Sequence, residues 1–324
     1  MEFDIVSLSL LTASALRLAV PLVLAAIAGL YAEKSGAIDI GLEGKMLAGA
    51  FMGGACASYW SDPWLGLVGA MVGALAMAMA QAFSVVHLRG NQLVIGLAIN
   101  IIASGLTAFL GISWYKRGGQ TPQLDTVERF QPITLPGTDL IANIPVLGPI
   151  YANVLSGHTI LGYLALLVVL VTVVVLYRTR FGLRLAACGD KPEALDTAGV
   201  SVYGMRYKAF AINGLLCGVA GAYLAIVQGG AFYKDMTAGQ GYIALTALIF
   251  GNWKPVRVFF ACLLFAFADA VQGRLQGAEF AGFEIPTQLI QALPYILTLL
   301  LLAGVMGKPE GPATAGKPYV KGER

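Results

Sequence analysis

Long apolar stretches, almost free of charge and separated by short polar ones, run along the chain from residue 8 to residue 305. A bilayer crossing needs about 20 such residues. The pattern predicts spans at 8–30, 38–59, 64–86, 92–113, 160–177, 208–228, 240–252, 255–272 and 287–305. The seventh is short and bounded by glycines, which predicts a re-entrant or broken helix. With eight to ten crossings the expected fold is all-α, a polytopic membrane protein forming one transmembrane domain over 1–324. The opening MEFDIVSLSL has no basic residue before its apolar run, so it reads as a retained first span and not as a cleaved signal peptide.

Composition sharpens this. The chain is 57% hydrophobic and 12% charged, with a mean hydropathy of +0.74, whereas soluble domains carry about 25% charged residues. Its 40 glycines suit helices that approach closely through small residues. A net charge of +3 gives no reason to expect nucleic acid as a partner. Lys and Arg are unevenly spread: with the N-terminus outside, 14 of the 21 fall in inner loops and five in outer ones, with Arg17 and Lys45 inside spans. That asymmetry predicts a cytoplasmic C-terminus. Cys56, Cys188, Cys217 and Cys262 are far apart and share no ligand spacing with histidine, so they read as packing residues, with no metal site.

Two polar segments are long. Residues 115–159 lie outside on this topology. Residues 178–207 lie inside, where Pro192 followed by EALDTAG predicts a short helix closed by Gly199. Such a helix suits docking to a cytoplasmic partner, or an amphipathic segment resting on the membrane. The cytoplasmic tail, 306–324, contains GPATAGKP at 311–318, a near match to a phosphate-binding loop. Lacking the preceding strand and following helix, it reads as a disordered basic tail, and the chain is not expected to bind ATP or any other cofactor. No GxSxG or HExxH occurs, and His87 and His158 fall at membrane boundaries, so no enzyme chemistry is expected.

The charges inside the spans carry the remaining chemistry. In GAIDIGLEGKMLAG, Asp39, Glu43 and Lys45 lie within seven residues. Intramembrane ionisable groups are costly and by default functional. Asp39 and Glu43, four apart, share a face of a regular helix, although Gly36, Gly41, Gly44 and Gly49 make a regular helix doubtful. The three form either a polar cluster at the inner gate, with Lys34 or Arg89, or a direct contact to substrate. Deeper in the spans, Asn100, Asn213, Gln228, Tyr242, Asp269 and Gln272 are candidates for the substrate pathway. Amides and a carboxylate pair with hydroxyls and base edges, and Phe265, Phe267 and Tyr242 offer faces for stacking. An interhelical hydrogen bond is the competing role for each polar residue.

Five stretches in order, EKSGAIDIGLEGKMLAGAF (33–51), NQLVIGLAIN (91–100), FGLRLAACGDKPEALDTAGVSV (181–202), GQGYIALTALIFGNWKP (239–255) and PTQLIQALPYILTLLLLA (286–303), resemble one family. It is the permease subunit of ribose and branched-chain amino acid type ABC importers, most similar in its nucleoside and simple-sugar branch served by Bmp-type binding proteins. The resemblance implies a type II importer permease that pairs with a second homologous permease as a heterodimer in membrane lipid. A cytoplasmic ATPase that binds the ATP and an extracytoplasmic substrate-binding protein would complete it. Glu193, Ala194 and Gly199 resemble the signature that docks into the ATPase, making 178–207 the coupling segment. Asp39, where the family more often has Asn, and Lys45, where it has an uncharged residue, depart from the pattern, as does Ala186 at a commonly basic position. The alternative function is an ion-coupled secondary transporter relaying protons or sodium through Asp39, Glu43 or Asp269.

Overall fold

The structure, a computed structural model, describes residues 5–136, 148, 151–276, 279–280, 283–284, 288, 292, 296 and 311–321. Ten helices account for most of this: α1 (Ile5–Lys34), α2 (Leu42–Trp60), α3 (Pro63–Val86), α4 (Gln92–Tyr115), α5 (Ile160–Arg178), α6 (Arg180–Asp190), α7 (Pro192–Thr197), α8 (Val202–Ala222), α9 (Gln240–Phe250) and α10 (Pro255–Leu275). Among the described residues, strands are confined to the two-residue pairs β1 (Pro132–Ile133) with β2 (His158–Thr159) and β3 (Glu279–Phe280) with β4 (Phe283–Glu284), both antiparallel. Among the described residues, six helices (α1, α3, α4, α5, α10 and α8 with its π-helical continuation Tyr223–Gly229) are long and apolar enough to cross a membrane. Of the expected ninth span, 287–305, and the stretch 286–303, all but residues 288, 292 and 296 lie outside the described residues.

α2 sits at the centre, packed against α3, α8, α4 and α9, while α1 runs against α10, α8 and α9. Small residues set these distances. A Cβ on Gly221 would collide with the Met46 carbonyl oxygen, so α8 and α2 touch backbone to backbone. On the other side of α8, a Cβ on Gly218 would come within 2.5 Å of the Met71 Cα in α3. α3 starts cleanly because Pro63 occupies the first turn and the Asp62 side chain accepts from the Trp64 amide.

Several expected boundaries shift. The second span starts at Leu42 and not at 38, because the chain turns at Gly36 (φ +86) and runs non-helically to Gly41. α8 begins at Val202, six residues before the expected 208, with the Ser201 hydroxyl capping the Gly204 amide. Within 178–207 the short helix is present as α7, Pro192–Thr197, with Gly199 (φ +78) just beyond it, but it is preceded by a second, amphipathic helix, α6. The seventh span is the 11-residue α9, entered through an irregular segment, 230–239.

The tail corrects the expectation of disorder over residues 311–321. It lies against the inner ends of α1, α6 and α8: the Thr314 amide and hydroxyl donate to the Gly189 carbonyl (3.0 and 2.6 Å), and the Gly316 amide donates to the Gly36 carbonyl (3.3 Å). Arg206 is buried beneath it and donates to the Lys317 carbonyl, while the Tyr319 ring packs edge-on against Tyr203. Lys321 reaches Asp196 of α7 at 3.9 Å, an exposed pair of little energetic weight.

Candidate functional site

The entry to α2 separates charges that look like one group in the sequence. Because the helix begins at Leu42, Asp39 precedes it and does not share a helical face with Glu43. Its carboxylate Oδ2 accepts from Lys45 Nζ at 2.5 Å and from Asn213 Nδ2 at 2.8 Å; Oδ1 accepts from Gln81 Nε2 at 3.0 Å and the Gly41 amide at 3.1 Å. Lys45 Nζ also donates to Asn213 Oδ1 at 2.6 Å and lies 5.6 Å from the Phe210 ring centroid. Asp39, Lys45, Gln81 and Asn213 are each 0% exposed. The ion pair thus ties the 36–41 link to α2, α3 and α8, with neither Lys34 nor Arg89 taking part in it. A pair this buried is tolerable only because hydrogen bonds occupy its remaining valences. Asn213, a candidate for the pathway by sequence, is wholly enclosed in this network.

Glu43 serves a different element. Oε1 accepts from the Gly239 amide (2.8 Å) and Oε2 from the Gly241 amide (2.6 Å), so a carboxylate on α2 satisfies the free amides at the start of α9. Asn100 does the same for α2, whose N-cap residue Gly41 has no side chain to cap with: its Oδ1 accepts from the Gly44 amide at 2.8 Å. Its Nδ2 donates to the Ile40 carbonyl (3.0 Å) and to the Tyr242 hydroxyl (2.8 Å). Both helices therefore begin inside the protein, held by side chains of their neighbours.

Depth along α4 locates these starts. At about 1.5 Å per residue its 24 residues span about 36 Å. Asn100 is about 12 Å and Ser104 about 18 Å from the Gln92 end, so Ser104 lies near the middle of this apolar helix. There the Ser104 hydroxyl donates to Asp235 Oδ1 at 2.6 Å. Asp235 belongs to the 230–239 segment, which starts at the outer end, where Gly230 and Phe232 bond to Leu124 and Thr121, and ends at Glu43. Irregular backbone at membrane depth is tolerated only where it is buried in protein or lines a water-filled cavity. Tyr233, Lys234, Asp235, Ala238 and Tyr242 are exposed on this chain, and Ser104 beside them is half-buried.

The remaining candidates lie elsewhere. Gln228 is at the outer end of α8, donating to the Arg17 carbonyl at 3.2 Å, in a cleft of about 750 Å³ lined also by Arg17, Arg129, Tyr223 and Thr159. Asp269 and Gln272 are half-buried on the outer half of α10, which packs against α1, α9 and α5. Phe265 is buried against Phe250, whereas Phe267 is exposed. Glu193 and Ala194 lie on α7 with Gly199 just past it, at the inner end. Sequence reading missed Gln81, Ser104 and Asp235. A lysine and an aspartate between the glycine pairs 229–230 and 239–241, YKDMTAGQG, were the available signal for Asp235; Gln81 and Ser104 gave none, being single polar residues in apolar helices.

The permease component of the branched-chain amino acid transport system is the family whose pattern matches residues 11–304. The guanosine ABC transporter permease NupQ of Bacillus subtilis is 36% identical, covering 99% of this chain and 100% of its own length. The nucleoside ABC transporter permease NupC of Lactococcus lactis is 35% identical, covering 97% and 98%. A glucose ABC transporter permease of Haloferax volcanii is 27% identical, covering 88% and 74%. The chain belongs to the branched-chain amino acid transport system permease family, and is a multi-pass transport subunit of a bacterial cell membrane, not an enzyme, whose partners are an ABC ATPase and a substrate-binding protein.

Proposed function

We propose that the chain is the permease of an ATP-driven importer of nucleosides or a related sugar compound, and that its pathway follows α4, the 230–239 segment and the start of α9. The observation that carries this reading is the pair of exposed polar side chains beside the middle of α4, Asp235 bonded to Ser104 and Tyr242 bonded to Asn100. Exposed charge at that depth is at odds with lipid and in keeping with a watered channel facing a second permease. The names of the full-length relatives support a nucleoside cargo.

On this reading Asp39, Lys45 and Asn213 brace the inner end and do not touch cargo, and Glu43 fixes α9. Gln228 stands at the outer mouth. Asp269 and Gln272 keep a place on the outer half of the pathway, since a half-buried carboxylate in a spanning helix faces protein or water. Glu193, Ala194 and Gly199 present α7 to the ATPase, which holds the ATP. Closing of the ATPase dimer moves α7, and α6 and the tail transmit that motion to the 36–41 link. A homologous second permease forms a heterodimer with this chain in membrane lipid.

Water access tests the pathway. The described cysteines are all buried, so the background for a polar, membrane-impermeant thiol reagent is low. Ala238→Cys in the assembled transporter is expected to react at least tenfold faster than Leu170→Cys, which is 65% exposed on α5. Equal, slow labelling at both positions would place 230–239 against lipid or protein and remove it from the pathway.

A further inference from the structure

We propose that Asp235 and Ser104 form a vicinal-diol subsite on the pathway, the point at which the permease itself holds the sugar of its cargo. The proposal rests on the nucleoside reading above and adds to it the atoms of recognition. Ser104 spends its only proton on Asp235 Oδ1. Its oxygen keeps acceptor capacity, and Asp235 Oδ2 has no hydrogen-bond or ion-pair partner among the described residues. The pair therefore presents two adjacent acceptors and no donor. That is the complement of two neighbouring sugar hydroxyls, each of which has a proton to give.

The same face supplies a second point of contact. Asn100 lies four residues before Ser104, so the two side chains are about 5–6 Å apart on one side of α4. Asn100 itself is full: its oxygen takes the Gly44 amide, and both its protons go to Ile40 and Tyr242. The Tyr242 hydroxyl, having accepted from Asn100, retains its own proton for a base edge, and its ring is 41% exposed for stacking. Ser104 and Asn100, which hold Asp235 and Tyr242, are one helical turn apart on α4, so a diol acceptor and an aromatic donor stand side by side for the ribose and base of one nucleoside.

Backbone conformation fits a loop held for use. Asp235 (φ 54) and Ala238 (φ 45) are both left-handed, and for alanine that conformation is costly. The strain is sustained by Glu43, which pins the far end at Gly239 and Gly241.

The test uses the complete transporter in vesicles, with its binding protein saturated first with guanosine and then with 2′,3′-dideoxyguanosine, so that capture does not limit either rate. Asp235→Asn is expected to lower guanosine uptake about tenfold, the weight of one charge-assisted hydrogen bond, and dideoxyguanosine uptake less than twofold. Equal losses for both compounds, or no loss for either, would overturn the subsite while leaving the transport reading intact. A wild-type transporter that carries neither compound overturns both. Should Asp235→Asn fail to assemble, Asp235→Gly, which suits the left-handed backbone there and removes both acceptors, decides the matter by the same ratio.

Discussion

Lys45 sits with no exposed surface beside the Asp39 carboxylate, the Asn213 amide and the Phe210 ring, and among the described residues no other hydrogen-bond or ion-pair partner answers its ammonium group. Removing one member of such a pair strands the other, at about 3–5 kcal/mol, whereas removing both together costs far less. Lys45→Met or Asp39→Asn alone is therefore expected to lower the unfolding temperature of the solubilised protein sharply. The double variant should recover most of the loss. Equal losses in single and double variants would show that the pair does not act as a unit. The sequence made the anomaly visible, since three charges in an apolar run are conspicuous, but it grouped them wrongly. The rule that residues four apart share a face needs a helix, and Asp39 precedes one. Glu43 was separable only by knowing that Gly239 and Gly241 return to it 196 and 198 residues later.

α7 shows how far element-level reading reaches. Proline in the first turn and glycine after the last are signals local to the chain, and the helix forms between them as expected. α6 escaped because an amphipathic helix of 11 residues, carrying two arginines and a buried Leu185 and Cys188, resembles a polar linker until its partner surface is known. The tail escaped for the same reason: its order comes from carbonyls of Gly36 and Gly189, not from its own composition. Gly199 permits a direct test of α7 as the coupling element. A Cβ there meets nothing within 4 Å, but φ +78 strains any other residue by about 1–2 kcal/mol, enough to displace a six-residue helix without unfolding the protein. Gly199→Asp and Glu193→Lys are expected to leave the protein in the membrane at normal abundance and reduce uptake at least tenfold. Normal uptake in both variants would mean that α7 does not transmit the ATPase stroke.

At the scale of the molecule, hydropathy made the class legible, together with six of the expected spans among the described residues. Interruptions of the helical pattern were less so. α2 and α9 begin inside the bundle, and the irregular chain leading to each brings Asp39 and Asp235 among otherwise apolar helices. A transporter driven by an ion gradient would also place carboxylates within its spans, so uptake energetics separate the two mechanisms. The decisive measurement is nucleoside uptake into vesicles holding this permease, its partner permease, the ATPase and the binding protein. The account predicts uptake that requires ATP, is blocked by vanadate and is indifferent to an uncoupler. Uptake that persists without ATP and collapses when the proton gradient is dissipated would contradict it.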